Sequence, residues 1–482
     1  MGLRNFQRLC QSVIAVLFTA NAAYGQTQGT SEFNEALFSA RVEEMQASTA
    51  VPGVAVAVMQ DGEVLHLKGY GIAGPDGRPV TGQTSIPIAS VSKSFVALVV
   101  LQLAEEGKLD LDDPVVQHIP TFRTVNKAAS DRITVDHLVT HHSGLTTLAG
   151  NRDHASTGQD AEGPAEAVAD VAFEELAAEP GSSYQYSNAN YFILSHLIEV
   201  LDGRPFEQAL ASRIFDPLGM KNSFVRLPTS DQTDVASGYR SWFQFARPRP
   251  AVIGGNRRTM GAGGVTASAE DMARYVIALQ TRDPRIVPIG ADRLFVARPI
   301  NESIGYAYGW VIYRGPEGDR ISHSGLSPGF STMAAINTAT GRSVVVLTNL
   351  SGILQGQLAL AVAHEALEWE PVKAAPPFSA QLGLWSCVGA VLGIALWLFK
   401  TGHRLFVKRV PMRVWVRWLN VAATLGLVGT VPAVLVLFPQ VAGVSIASAN
   451  VYFPDLVLIM VTCCVMAVTL ALGRLALVVR GG

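Results

Sequence analysis

Ser90 and Lys93 stand three residues apart in IASVSKSFVALVV (88–100), at the mouth of an apolar run. Positions i and i+3 of a helix share a face, so the amine can reach the hydroxyl. A serine hydroxyl is a poor nucleophile until a neighbouring base takes its proton. Burial disfavours an ammonium ion and so lowers lysine towards that role. Amides at the start of such a helix would also stabilise an oxyanion. A chain of this length and average composition yields roughly one or two Ser-x-x-Lys matches by chance. The pattern occurs once here, and a structural reading of the pair stays open on these residues alone.

Two further groups could join that chemistry. PGSSYQYSNANYF (180–192) holds Tyr186, whose phenol beside a buried cation can relay a proton, and Asn188, which can hold a substrate carbonyl. A packed loop tyrosine and a helix-capping asparagine explain the same residues. ISHSGLSPGF (321–330) holds His323 and Gly325 on an expected strand. The imidazole could bind a carboxylate or move a proton, and the glycine permits close approach of a ligand backbone. His137 and His141 have a metal-ligand spacing, but no glutamate follows His137 as in HExxH zinc sites. Helix-end packing accounts for both, so no metal or cofactor is expected.

The elements that must position these residues can be read from periodicity. VPGVAVAVMQDGEVLHLKGYGIA (51–73) reads as two strands around an Asp61-Gly62 turn. Ser90 to Glu106 reads as a helix stopped by Gly107 and apolar around most of its circumference, hence buried. Helices are expected at Ala165–Ala178 and Ser187–Leu201, strands at 308–314, 320–325, 331–339 and 342–350, and a closing helix at Gln355–Trp369. Strands, a helical insertion, then strands and a terminal helix predict an α/β (α+β) domain, an antiparallel sheet flanked by helices plus a helical subdomain.

Net charge is −2 across 482 residues, which gives no sign of a nucleic-acid partner. Apolar content is 49% and mean hydropathy +0.27, with the excess at the two ends. Arg4 and Arg8, the apolar Val13 to Ala20 and the small-x-small Ala23-Tyr24-Gly25 predict a signal peptide over 1–25. The remainder divides into an extracytoplasmic domain at 26–370, a linker at 371–381 and three expected transmembrane helices at about 382–399, 419–438 and 456–479. Lys400, Arg404, Lys408, Arg409, Arg413 and Arg417 fall between the first two spans, and Pro439 to Asp455 has no Lys or Arg. The positive-inside rule then places the domain in the periplasm, with a cytoplasmic C-terminus, as a multi-pass inner-membrane protein contacting lipid and able to self-associate through its helices. All four cysteines (Cys10, Cys387, Cys463, Cys464) lie outside the 26–370 domain, which excludes a disulfide framework or cysteine nucleophile there.

In order and spacing, Ser90-x-x-Lys93, Tyr186-Ser187-Asn188 and His323-Ser324-Gly325 resemble the serine β-lactamase and penicillin-binding protein superfamily, in its class C β-lactamase and D-Ala-D-Ala carboxypeptidase branch. GKLDLDDPV (107–115), ITVDHLVTHHSGL (133–145) and GAGGVTASAEDMARY (261–275) resemble family segments too. The resemblance implies a β-lactamase-like fold and acyl-enzyme catalysis. Ser90 would be the nucleophile, Lys93 its proton acceptor and Tyr186 the relay to the leaving amine. Asn188, His323 and Gly325 would meet the substrate, and the backbone amides of Ser90 and Leu326 would form the oxyanion hole. His323 stands where class C enzymes carry lysine, which weakens the case for β-lactam hydrolysis. The implied activity is a serine peptidase or amidase acting beside a D-amino acid in a small molecule or peptide, with an esterase, a β-lactamase or a penicillin-type sensor as alternatives. With the three expected spans, the architecture resembles periplasmic prodrug-activating peptidases of the colibactin-maturation type.

Overall fold

The computed structural model describes residues 32–152, 163–225, 235–240, 249–250, 257–352 and 356–371, together with parts of 389–469. The chain divides into two units, Ala20–Ala374 and Met1–Thr19 with Ala375–Gly482. Every candidate site residue belongs to Ala20–Ala374.

An eight-stranded antiparallel sheet forms the frame of that unit. Its strands are β1 Gly53–Gln60, β2 Glu63–Gly71, β3 Arg298–Pro299, β4 Ile304–Tyr306, β5 Val311–Tyr313, β6 Arg320–Ser327, β7 Phe330–Asn337 and β8 Arg342–Thr348, in spatial order β2-β1-β8-β7-β6-β5-β4-β3. The β1–β2 hairpin turns at Asp61 (φ 53°) and Gly62 (φ 86°). Two successive positive φ values match the twist of the flanking strands, and the Asp-Gly pair tolerates them.

Side-chain alternation on β1 divides the core in two. Val54, Val56 and Val58 face helices α1 (Glu35–Thr49) and α5 (Gly356–Ala366), meeting Phe38, Val42, Leu358 and Val362. Ala55, Ala57 and Met59 face the larger helical body on the other side. That body holds α2 (Ser92–Glu105), α3 (Asn188–Asp202) and α4 (Ala269–Gln280). All ten residues from Ser92 to Leu101 are buried, Lys93 among them, so α2 is enclosed on every side, as its largely apolar circumference requires. Gly107 ends the helix at φ 69°, its amide donating to the Ala104 carbonyl.

Several expected elements shift. Ser90 lies in a 3₁₀ turn, Ala89–Val91, that feeds α2 rather than in the helix itself. The Ala165–Ala178 helix is shorter, Pro164–Asp170, followed by a 3₁₀ turn at Val171–Phe173.

The expected three-helix transmembrane segment is overturned: among the described residues no helix is long and apolar enough to cross a membrane. Helix Ile446–Tyr452 has seven residues and rises about 10 Å, a third of a hydrocarbon core. The multi-pass inner-membrane placement and association through membrane helices fall with that segment. The 1–25 leader lies outside the described residues, as do positions 382–399, apart from 389, and 419–438.

Candidate active site

The site lies where the 3₁₀ turn before α2 meets the β6 edge of the larger core. The turn is held in place from two sides. Ile88 donates its amide to the Val265 carbonyl at 3.0 Å, and Thr332 Oγ1 on β7 donates to the Ile88 carbonyl at 2.9 Å. Ala89 carries a left-handed backbone, φ 48°, which costs an alanine about 1–2 kcal/mol. The surrounding contacts therefore over-determine the turn and fix where Ser90 points.

Ser90 Oγ, half-buried, accepts from Lys93 Nζ and from the Tyr186 hydroxyl, each at 3.1 Å. Lys93 is wholly buried. Its other partner is the Ala262 carbonyl at 2.7 Å, from the 261–267 segment that also anchors Ile88. Two tyrosine rings lie near Nζ, with centroids at 5.0 Å (Tyr186) and 5.4 Å (Tyr191). Burial holds this amine well below the ordinary lysine range. A neutral amine has a lone pair, so the 3.1 Å contact can also run from the serine hydroxyl to Nζ. The trio is a nucleophile, a base and a second proton carrier on one oxygen.

The other expected residues sit close by with different duties. Tyr186 ends the loop before α3, held through its carbonyl by Thr147 Oγ1 at 2.7 Å. Asn188 opens α3 and donates to Asn151 Oδ1 at 2.8 Å. His323 on β6 is buried. Its Nδ1 donates to the Ser324 carbonyl at 2.7 Å, which leaves Nε2 to accept from the Tyr306 hydroxyl at 3.2 Å. Burial, with Lys93 nearby, pushes the imidazole down to about 3. The ring is neutral, and both nitrogens are engaged inside the fold. His137 and His141 part company: His137 caps its own short helix against Thr134, and among the described residues no group of three or more metal-ligating side chains is gathered.

Gly325 earns its place by contact. A β-carbon there would stand 2.3 Å from the Ile88 carbonyl and 2.2 Å from Thr332 Oγ1. Gly325→Ala is expected to push β6 away from the nucleophile's turn, lowering stability by about 1–3 kcal/mol. Turnover should fall by about 10²-fold, the effect of an ångström-scale misplacement. Urea melts and initial rates on one preparation would check both.

Three participants went unread in the sequence. His141, Tyr191 and Tyr306 form an aromatic cluster with Tyr186, His141 lying 4.4 Å from the Tyr186 ring, 5.2 Å from that of Tyr191 and 4.7 Å from that of Tyr306. His141 was noticed only for its spacing from His137, and nothing in residue type distinguishes Tyr306 from a core tyrosine.

Comparison with known proteins bears on the fold and the family. The chain is 28% identical over 320 residues to the unguisins hydrolase ungD' of Aspergillus campestris, covering 62% of this chain and 58% of that protein. It is 26% identical over 305 residues to protein flp of Staphylococcus aureus (strain MW2), covering 62% of this chain and 60% of flp. The match thus spans about three-fifths of these relatives' own lengths. Among solved structures, the octameric penicillin-binding protein homologue from Pyrococcus abyssi superposes with TM-score 0.61 and 28% identity, over 71% of this chain and 79% of that one. A D-stereospecific amidohydrolase from a Streptomyces species shares the fold, with TM-score 0.57 and 23% identity, over 69% of this chain and 98% of that one. The Beta-lactamase family model matches residues 38–367, a stretch that takes in every residue of the site, and the chain accordingly belongs to the beta-lactamase family.

Proposed function

We propose that the enzyme hydrolyses an amide next to a D-amino acid, in a small molecule or peptide, through an ester formed on Ser90. Ser90 Oγ attacks the carbonyl carbon as its proton passes to neutral Lys93. The backbone amides of Ser90 and Leu326 hold the oxyanion. Tyr186 hands a proton to the departing amine, and the C–N bond breaks. Water, deprotonated by the same pair, then attacks the ester, releasing the acid and restoring Ser90. Asn188 meets the substrate amide, and Gly325 lets the substrate backbone lie along β6. His323 serves as a neutral wall.

One observation carries this reading: a wholly buried lysine shares the oxygen of Ser90 with Tyr186, each at 3.1 Å. The D-configured side is supported by the motif order shared with D-Ala-D-Ala carboxypeptidases. Removal of an N-acyl-D-amino-acid cap from a precursor is the narrower form of the reaction. An esterase reading uses the same groups.

A panel of N-acyl-D-amino-acyl amides (D-Asn and D-Ala among them), their L-forms, simple esters and a chromogenic cephalosporin tests the proposal by mass spectrometry. Ser90-dependent release of an acyl-D-amino acid is the expected result. Cephalosporin turnover should be at least about 10²-fold slower, because the neutral His323 offers no charge to its carboxylate. Turnover confined to esters or the cephalosporin would sink the amidase assignment.

A further inference from the structure

We propose that His141 is a positioning residue for Tyr186, a role that rests on the proton-relay reading above. His141 grips the chain on both sides of that tyrosine. Its carbonyl accepts from the amide of Gln185, one residue before, at 2.8 Å. Its Nδ1 accepts from the amide of Ser187, one residue after, at 3.3 Å. Between these two anchors the imidazole lies 4.4 Å from the Tyr186 ring, centroid to centroid, tilted by 39°.

The imidazole is itself fixed. A backbone amide can only donate, so Nδ1 carries no proton and Nε2 does. Asn190 Nδ2 donates to the same Nδ1 at 2.9 Å. Ser143 Oγ donates to Asn190 Oδ1 at 2.6 Å, which sets the Asn190 amide the right way round. His141 is wholly buried, and its Nε2 has no hydrogen-bond partner among the described residues. Its backbone is left-handed at φ 60°, a conformation that costs a residue with a β-carbon about 1–2 kcal/mol. Strain and an orphaned polar atom gathered on one buried side chain mark a position kept for placement rather than for packing.

Leaving groups supply the test. An amide needs its nitrogen protonated on departure, whereas a p-nitrophenyl ester expels a stable phenolate unaided. Loosening Tyr186 should therefore slow amides selectively, and a general loss of folded enzyme would slow both alike. His141→Phe keeps a ring and removes the acceptor. In single-turnover acylation, which excludes the water step common to both substrates, the amide rate is expected to fall by about 30-fold and the ester rate by less than about threefold. Asn190→Ala leaves the imidazole and loosens its tether, and should move the same ratio by about fivefold. It also decides the question if His141→Phe does not fold. Equal losses on amide and ester, or no loss, would overturn the proposal. Tyr186→Phe is run beside them. If it slows both substrates equally, the relay reading itself falls, and this proposal with it; if it is amide-selective while the other two variants are not, only His141's role fails.

Discussion

Ser90→Ala should abolish covalent turnover, with kcat for every substrate in the panel down by at least about 10⁴-fold and no acyl adduct in the intact mass. Neither of the neighbouring serines, Ser92 and Ser94, is placed to substitute. Ser92 Oγ accepts from the Val265 amide at 3.1 Å, and Ser94 Oγ donates to the Val91 carbonyl at 2.8 Å. Both hold the helix start to its surroundings. The fold should survive, since Lys93 keeps the Ala262 carbonyl and loses one neutral contact worth about 1 kcal/mol. Substrate should still bind, so saturable binding without turnover is the expected signature. Turnover within tenfold of the parent would show that Ser90 is not the nucleophile.

Lys93→Met is the second large effect, and it divides activity from stability. Methionine fills a similar volume but cannot take a proton, so acylation should slow by about 10³-fold or more. Stability changes the other way, in a manner that depends on pH. Lys93 titrates well below its ordinary value of 10.5 in the folded protein because burial disfavours its charge. Between the folded and unfolded values the unfolded chain binds one more proton than the native state, so parental stability rises with pH. The slope reaches about 1.4 kcal/mol per pH unit. That contribution is complete above 10.5 and is lost as pH falls towards the folded value. Lys93→Met lacks it. The stability difference between variant and parent should therefore be largest near neutrality and shrink as pH approaches 10.5. Paired urea melts at pH 7.5 and 9.5 would measure it. A constant difference would mean that Lys93 is charged in the native protein.

Much of this site could be read in the sequence because its parts are distinctive in type and spacing. A serine three residues before a lysine, an Asp-Gly turn between alternating strands and a Tyr-x-Asn at a helix start each carry their own chemistry. What escaped was set by long-range packing. The acceptor that completes Lys93 is the main-chain oxygen of Ala262, 169 residues away, and any residue type could supply it. His323 looked like a cation because its type titrates near neutrality. Burial removes that charge even though the hydrogen bond to the Ser324 carbonyl favours it, and a strand pattern does not report how deeply one side chain sits. His141 escaped for the same reason, since its bonds reach residues more than forty positions ahead. The C-terminal region shows the converse case, since among the described residues no helix is long and apolar enough to cross a membrane. An apolar run of spanning length is necessary for a membrane helix but does not specify one.

The strand order has a consequence for biosynthesis. β1 pairs along its length with β8, so that Val54 lies opposite Thr348. Ser90 and its helix, although among the earlier segments to leave a ribosome, rest on a sheet whose central partner, Arg342–Thr348, emerges about 250 residues later. Such non-local pairing slows folding and leaves the early hairpin's inner edge unsatisfied in the nascent chain. The sheet that carries the site cannot close until translation of the unit is nearly over, and a chain ending before β8 would leave β1 and β7 each with an open strand edge.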